Sequence, residues 1–318
     1  MAEPIKWRSK IILVKAEPLN AYGIDPTPTG ASNAMLLTNV QFQPMEGQDV
    51  SRNLETPYMG AQESLPVGLY CVLTGDFELV GSGQLGVAPA WSPLLRSCGV
   101  AEVVTPGNKV EYAPVTEGHE SVAAYFMIGT NRYVMLGGRS TGVITINAQG
   151  IPVCRVTITG LFTVPTVAAR PVVDLSKWQK PQVAAKATTP VYTIDGISFV
   201  ARDYSLNLGC EVQPRMLFNQ ERVLIVDKAE QLTVTVEAVP VSTYNPVARA
   251  GSETADAPRV PIIIEHGTIV GRKVRIDTGA CVQSRFGGGQ ENQKIEEWPL
   301  TFTPLPTLGD DQWKITIT

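Results

Sequence analysis

Residue types suited to acid–base chemistry or metal binding are scarce in this chain. His119 and His266 are the only histidines among 318 residues, and a glutamate flanks each of them. A His–Glu pair can move a proton, but neither histidine has a second His or Cys at the spacing of zinc ligands. The Gly-x-Ser-x-Gly elbow of hydrolases is also missing. The sequence favours ordinary surface positions for both histidines, with a hydrolase site assembled from distant Ser, His and Asp residues as an alternative.

Two glycine-rich stretches resemble nucleotide-binding loops only superficially. Residues 81–86 (GSGQLG) match the spacing G-x-G-x-x-G, but Ala-Pro at 88–89 separates them from a helix of at most two turns. A dinucleotide site needs those glycines to open the helix of a βαβ unit, so we expect a turn-rich loop instead. Residues 287–289 lack the Lys-Ser/Thr of a P-loop and predict a hairpin tip. The acidic pairs at 296–297 and 310–311 are expected on solvated faces. We therefore predict no catalytic, cofactor-binding or metal-binding residue, and a structural or binding protein rather than an enzyme.

Composition indicates a β-rich chain with a mildly acidic surface. Hydrophobic residues make up 44% and charged residues 18%, with 28 Gly and 24 Pro. Val and Thr dominate the periodic stretches, which favours short strands and many turns. The net charge is −4, and no Lys/Arg run is present. Tight binding to a nucleic-acid backbone needs clustered positive charge, whereas an acidic surface lets polyanions pass without sticking.

Cysteine usage and hydropathy indicate the compartment. The five cysteines are widely spaced, without a Cys-x-x-Cys pair, which predicts reduced and buried thiols. No apolar stretch approaches the roughly 20 residues that span a membrane, and the first seven residues lack the apolar core of a signal peptide. We expect a soluble protein that is made in a cytoplasm and has no membrane partner.

An internal repeat organises the chain. Residues 91–99 (WSPLLRSCG) and 244–251 (YNPVARAG) share an aromatic residue, a helix cap, Pro, apolar residues, Arg and a terminal Gly. The aromatic residues and the arginines are both offset by 153 positions. Ser92 is predicted as the N-cap of the first short helix, and the glycines as left-handed stops. Strands that alternate polar and apolar residues precede both helices, at 70–79 and 231–238. Two copies of one β-rich domain are therefore predicted.

The repeat suggests a division of the chain. We predict an N-terminal arm at 1–32, a first domain at 33–165, a Pro-rich linker at 166–192 and a second domain at 193–318. Trp178 is expected to pin the linker to a domain surface. Residues 45–68 lack a clear period and predict a loop, which is either solvated or docked on a neighbouring subunit. The last strand, at 313–317, is expected to pair with an exposed edge of the same or another chain.

Three short stretches carry a resemblance to a known family. They are residues 21–34 (AYGIDPTPTGASNA), 88–99 (APAWSPLLRSCG) and 112–115 (YAPV). As a set they resemble the tail tube (major tail) proteins of bacteriophages with long non-contractile tails, of the Mu-like siphophage type. The likeness covers most of residues 10–165 and is looser beyond. It implies two tandem tail-tube domains, each a β-sandwich or half-barrel with a short flanking helix.

The resemblance also implies a function. Rings of such domains stack around a lumen that conducts genomic DNA into the host, and the repeat then predicts trimeric rings with pseudo-sixfold symmetry. A hexamer is the fallback if the second half is a decoration domain. Strands that face the lumen would carry acidic residues, for which Asp76, Glu78 and Glu237 are the candidates; an outer face explains these three equally well. A loop would tie each ring to the next, through Asn53, Leu54, Tyr58, Met59 and Leu65.

The expected partners follow from the same resemblance. They are other copies of the chain, further tail proteins (tape measure, terminator and distal tail proteins) and DNA that passes without specific binding. No cofactor is expected, and the location would be the virion tail after assembly in the host cytoplasm. Alternative readings are a minor tail or capsid decoration protein, or a secreted β-sandwich module that binds carbohydrate or adheres to cells.

Overall fold

A computed structural model describes residues 4–318. The chain is mainly β, with 50% strand and 4% helix, and its sheets are antiparallel, which confirms the predicted fold class at this level. In the first half the elements are β1 (Lys10–Ala16), α1 (Gly30–Asn33), β2 (Ala34–Met35), β3 (Thr38–Ser51), β4 (Ser64–Glu78), α2 (Ser92–Arg96), β5 (Val100–Thr105), β6 (Lys109–Pro114), β7 (Val122–Ile128), β8 (Asn131–Asn147), β9 (Val153–Leu161) and β10 (Thr166–Val167).

The second half continues with eleven strands and one helix. They are β11 (Val191–Ile194), β12 (Ile197–Ser198), β13 (Ala201–Asn207), β14 (Cys210–Leu217), β15 (Gln220–Lys228), β16 (Gln231–Glu237), α3 (Pro246–Arg249), β17 (Arg259–His266), β18 (Val274–Gln283), β19 (Gln290–Asn292), β20 (Ile295–Pro304) and β21 (Lys314–Ile317). Strand β18 begins only at Val274, because the preceding residues form the turn between β17 and β18.

The strands of the two halves pair in the same order. In the first half β2 pairs with β1, β1 with β7, β7 with β8, β8 with β9, β9 with β4, and β4 with β3. In the second half β12 pairs with β11, β11 with β17, β17 with β18, β18 and β19 with β20, β20 with β16, and β16 with β13. The strands β5 and β6 are an addition to the first half.

Two strand pairings join the halves into one sheet. The end of β8 pairs with β13 of the second half, so that the strands β3, β4, β9, β8, β13, β16 and β20 follow one another edge to edge. The C-terminal strand β21 pairs with β18 on one side and with β6 on the other. The prediction that this strand pairs with an exposed edge is confirmed, and its partners belong to the same chain.

One large hydrophobic core extends through both halves, and a smaller cluster is formed by residues of β1, β2 and β7. Alternation at period two directs one face of the shared sheet into this core. Trp91, at the start of α2, stacks on Phe77 with ring centroids 5.2 Å apart, and its indole N–H donates to the carbonyl of Val80 at 2.8 Å. Tyr244 lies at the start of α3 and is equally buried. All five cysteines are buried free thiols, as expected.

Both predicted helices form, but only one has the predicted kind of cap. The Asn245 side chain accepts hydrogen bonds from the backbone N–H groups of Val247 and Ala248, both at 3.1 Å. The N-cap expected at Ser92 is wrong, because Ser92 lies inside α2 and its hydroxyl donates to Glu102. Left-handed glycines follow both helices, with φ of +66° at Gly99 and +75° at Gly251.

The loop predicted at residues 45–68 is for the most part a long β-hairpin. The strands β3 and β4 pair as far as Ser51 and Ser64, which leaves a loop only at residues 52–63. Side chains on both faces of the outer hairpin are exposed, so no polar–apolar alternation marks it.

The N-terminal arm and the linker are both attached to the sheet. Within the predicted arm, β1 is a strand with buried residues that pairs along its whole length with β7; the arm's first three residues lie outside the described part of the chain. In the linker, the Trp178 indole N–H donates to the carbonyl of Ala34 at 3.1 Å, which confirms that Trp178 pins this segment.

Candidate functional site

The face of the shared sheet opposite the core is polar, and we call it the polar face. Residues one position apart on a strand point to opposite sides, so burial of Leu73, Ile144 and Leu232 directs their neighbours to this face. Hydroxyl side chains dominate it. The polar face comprises Thr74, Asp76 and Glu78 on β4; Val153, Arg155 and Thr157 on β9; Thr141, Val143 and Thr145 on β8; Asp203, Ser205 and Asn207 on β13; Thr233, Thr235 and Glu237 on β16; and Glu297, Pro299 and Thr301 on β20.

Register aligns these residues in rows that cross both halves. One row runs from strand to strand through directly opposed residues: Glu78, Val153, Thr145, Ser205, Thr233 and Thr301. The neighbouring row begins with Asp76, Arg155 and Val143 and continues through Asn207 and Gln231. The polar face is therefore one surface of the whole chain, and the boundary between the halves does not interrupt it.

Asp76, one of the predicted lumen residues, is held in an ion pair. Its carboxylate accepts hydrogen bonds from Arg155 Nε at 2.8 Å and Nη2 at 3.1 Å, and from Asn39 Nδ2 at 2.7 Å. The Arg155 hydrogen bond is the main reason why the pKa of Asp76 lies below its usual value. Asp76 is only 5% exposed, and the guanidinium of Arg155 largely neutralises its charge.

The other two predicted lumen residues lie on the polar face without such a partner. Glu78 and Glu237 are half-buried and form no ion pair with the described residues 4–318. Glu237 lies directly opposite Glu297, which pairs with Arg202. The solvated position expected for Glu297 is wrong: the side chain is buried, because the guanidinium of Arg202 covers it.

The net charge of the polar face is negative. Its carboxylates are those of Asp76, Glu78, Asp203, Glu237 and Glu297. The guanidinium groups beside them belong to Arg155 and Arg202. Five negative charges against two positive ones leave a hydroxyl-rich surface with an acidic excess, which disfavours the approach and immobilisation of a polyanion.

The row of strands has unpaired edges at β3, on one end, and at β19, which lies beside β20 on the other end. Within residues 4–318, β3 pairs only with β4, and β19 pairs only with β20. Such edges present backbone N–H and C=O groups that another strand can satisfy. Gln41 and Gln43 on β3 and Gln290 on β19 are exposed.

The residues predicted to connect rings lie at or near the tip of the β3–β4 hairpin. Asn53 has a left-handed φ of +42° where the loop leaves β3. Leu54 is 48% exposed, Tyr58 is 83% exposed and Met59 is fully exposed, while Leu65 lies on the outer part of β4 at 46%. The structure thus places all five at one protruding end of the chain.

A second tip with the same character was missed from the sequence. The hairpin β14–β15 turns at residues 218–219, and Leu217 and Phe218 there are 56% and 100% exposed. In the pairing order of the halves, β13 and β16 correspond to β3 and β4. The β14–β15 hairpin extends β13 and β16, just as the outer part of the β3–β4 hairpin extends the inner parts of β3 and β4. The signal was an apolar pair directly before Asn219, a residue type common in tight turns.

The residues that could have suggested chemistry have structural roles. The surface position expected for His266 is wrong: it is buried, with Nδ1 3.1 Å from Thr189 Oγ1 and Nε2 3.1 Å from the Gln182 carbonyl. Burial lowers the pKa of His266 and of the half-buried His119. Residues 81–86 form the expected loop, which packs against the turn at Gly271.

No group of three or more His, Cys, Asp or Glu side chains that could hold a metal ion occurs between residues 4 and 318. None of the helices described there is long and apolar enough to cross a bilayer.

A cavity of about 630 Å³ lies between the linker and the second half. Tyr192 and Tyr204 line it, and their buried hydroxyl groups have no hydrogen-bond partner among residues 4–318. Burial raises the pKa of both well above the usual value, so they stay neutral. Ordered water is the ordinary partner for such groups, and the charged residues Lys186, Arg202 and Asp203 also line the cavity.

Comparison with known proteins adds no family assignment. No protein-family model matches the chain, and no curated protein is significantly similar to it.

Proposed function

We propose that this chain is a tail tube (major tail) protein of a bacteriophage with a long non-contractile tail, of the Mu-like siphophage type. Each chain would supply two tandem tail-tube domains, and three chains would form a ring with pseudo-sixfold symmetry. Stacked rings would enclose a lumen that conducts genomic DNA into the host. The observation that carries this proposal is the common pairing order of the two halves, joined edge to edge in one sheet.

Ring closure supplies what the single chain leaves open. A sheet of strands that follow one another has two edges, and closing the sheet on itself removes them. A closed ring of copies satisfies every edge, and with two equivalent halves in each chain, three chains give the six similar units that the resemblance implies. A head-to-tail contact that repeats by rotation produces such a ring.

The polar face suits the wall of a DNA-conducting lumen. The phosphate backbone of DNA is attracted by clustered Lys and Arg, and binding by many phosphate contacts would stop its movement. A hydroxyl-rich wall with an acidic excess hydrates well and repels phosphate at short range. Glu78, Asp203 and Glu237 are the carboxylates of this face that form no ion pair within residues 4–318, and we assign them the repulsive role.

The hairpin tips suit contacts between successive rings. Tyr58 and Met59 protrude beyond the folded body, where they find no apolar partner within the described chain. Docking on the next ring would bury them. Further tail proteins, namely the tape measure, terminator and distal tail proteins, would bind the lumen or the ends of the tube, in a virion tail assembled in the host cytoplasm.

The alternative functions explain fewer of these observations. A hexameric ring with a decoration domain would not need the second half to repeat the pairing order of the first. A minor tail or capsid decoration protein, or a secreted binding module, would not need a polar face that is continuous across both halves. We therefore favour the trimeric tube.

Electron microscopy of the purified full chain tests the proposal. The expected result is rings or tubes with a central hole and threefold symmetry, in which six similar units surround the hole. Monomers that stay isolated over a range of protein concentrations and ionic strengths would contradict it. Rings of six chains would retain the tube and reject the trimer.

A further inference from the structure

We infer that neighbouring copies join by pairing β3 of one copy with β19 of the next, in the register that the chain already uses between β13 and β8. This joint rests on the proposed function, since it is the contact that would close a ring. It places Gln43 of one copy directly opposite Asn292 of the next. The occupant of each open edge is thus a second copy of the same chain.

The template for this joint is the junction inside the chain. There, β8 and β13 pair antiparallel, with Thr145 opposite Ser205 and Val143 opposite Asn207. This pairing connects the last strand of the row β3, β4, β9 and β8 to the first strand of the row β13, β16 and β20. The same connection between consecutive copies would link β19, which lies beside β20 at the end of one chain's row, to β3 at the start of the next.

The position in β3 follows from the strands that flank it. On β4 the core residues Cys71 and Leu73 correspond to Leu232 and Val234 on β16, so equivalent residues are 161 positions apart. Ser205 pairs with Thr233, and Gln43 pairs with Val72, which is the residue that corresponds to Thr233. Gln43 is therefore the counterpart of Ser205.

A bulge at the same place supports this alignment. The first of three register shifts in β3 lies between Thr38 and Gln41, and the shift in β13 lies between Ala201 and Asp203, so the equivalence holds up to Gln43, where the next shift in β3 begins. Bulges interrupt a strand at one defined point, and their position fixes which residues are equivalent.

The position in β19 follows in the same way from β20. The core residues Val156 and Ile158 on β9 correspond to Trp298 and Leu300 on β20, which are 142 positions further along the chain. Thr145 pairs with Val153, and the residue of β20 that corresponds to Val153 is Ile295. Ile295 pairs with Asn292, so Asn292 is the counterpart of Thr145.

Charge and exposure agree with a joint between copies. Thr145 and Ser205 are half-buried in the internal junction, whereas Gln43 is exposed on an edge that nothing in the described chain covers. Gln43 and Asn292 both have uncharged amide side chains, so their approach carries no like-charge repulsion. A single chain holds both sides of the joint, so contacts between copies run head to tail.

Engineered cysteines test the register in the assembled full chain. The Q43C/N292C double variant is expected to form disulfides between chains when it is oxidised with copper–phenanthroline in air, because directly opposed residues lie within disulfide reach. Non-reducing gels should show linked pairs and linked trios, and no larger species. An equal mixture of the Q43C and N292C single variants should give linked pairs only.

Two matched variants complete the test. T145C/S205C should link within one chain, because these residues are opposed in the internal junction. Q43C/Q290C places the second thiol two residues off register and should link poorly. Rings or tubes without a Q43C–N292C link would overturn the joint and leave the proposed function standing. Particles that are only monomeric by microscopy would reject both.

Discussion

At the residue scale, the charges of the polar face divide into neutralised and free carboxylates. Asp76 is enclosed by Arg155 and by Asn39, whose left-handed φ of +52° at the β3 bulge brings its amide to the carboxylate. Glu78 lies two residues further along the same strand without an ion pair in the described chain. Of the acidic residues that the sequence suggested, Asp76 is held in an ion pair, while Glu78 and Glu237 form none within residues 4–318 and, in the proposed tube, would be the ones to face DNA.

Replacing Asp76 should show its contribution to stability and to pH dependence. D76N is expected to lower the free energy of unfolding at pH 7 by about 1–2 kcal/mol; the figure is modest because Arg155 is more than half exposed and water screens the pair. The folded-state pKa of Asp76 is lowered, so its stabilisation is complete above the unfolded pKa of about 3.9 and is lost as the pH falls through the folded value. Urea unfolding at pH 7 and below pH 4 measures both effects.

The matched control is E78Q, which removes a carboxylate two residues away. It should leave the free energy of unfolding at pH 7 within about 0.5 kcal/mol of the wild type. If D76N behaves like E78Q at both pH values, the ion pair with Arg155 does not stabilise the fold.

At the scale of elements, the two hairpins have different surroundings. The β14–β15 hairpin contacts β8 and β9 of the first half, and Val223 on it is fully buried. The outer β3–β4 hairpin is exposed on both faces. The apolar side chains at its tip are exposed in the single chain, which is why we assign the tip to contacts between rings.

The tip of the β3–β4 hairpin should control tube growth without affecting the fold. In Y58S/M59S the thermal midpoint is expected to stay within about 2 °C of the wild type, because neither side chain is buried. Rings should still form, but stacking should fail, since the apolar contact between rings is lost. Length distributions from negative-stain microscopy measure this.

L308S is the control, because Leu308 is 93% exposed in a loop outside both hairpins. It should leave tube length unchanged. Tubes of normal length in Y58S/M59S would exclude the tip from the ring-to-ring contact.

At the scale of the whole molecule, one sheet with a common polar face joins the two halves. Rows of residues such as Thr145, Ser205 and Thr233 cross from the first half to the second without interruption. A surface of this kind acts as a unit, and its net charge governs how a passing polyanion behaves.

If the polar face lines the lumen, replacing its carboxylates with ammonium groups should make the tubes bind DNA. Tubes of E78K/E237K are expected to retain short double-stranded DNA and to protect it from nuclease at low salt. Retention should weaken steeply as salt increases, because released counterions drive phosphate binding. Wild-type tubes should retain none.

The control for this experiment is E117K/E253K, which adds the same charge at exposed loop positions outside the polar face. It should not protect DNA. Equal protection by both variants would indicate general attraction rather than a lumen at the polar face.

Several features could be predicted because neighbouring residues encode them. Alternation placed the inner part of β4 and the strand β16, and Pro followed by a later Gly marked both helices. The outer part of the β3–β4 hairpin was not predicted, because strands that are exposed on both faces show no polar–apolar alternation. Ser92 has the residue type of a cap, but Glu102, ten residues away, draws its hydroxyl into the fold.

The sequence by itself therefore determined the β class and the positions of the short helices. These depend on local backbone preference and on the polar–apolar period, which act over a few residues. Only the tertiary structure decided that β8 pairs with β13, that Glu297 and His266 are buried, and that hydroxyl side chains of both halves share one face. Those outcomes depend on register between strands far apart in the chain, where a shift of one residue exchanges the two faces of the sheet.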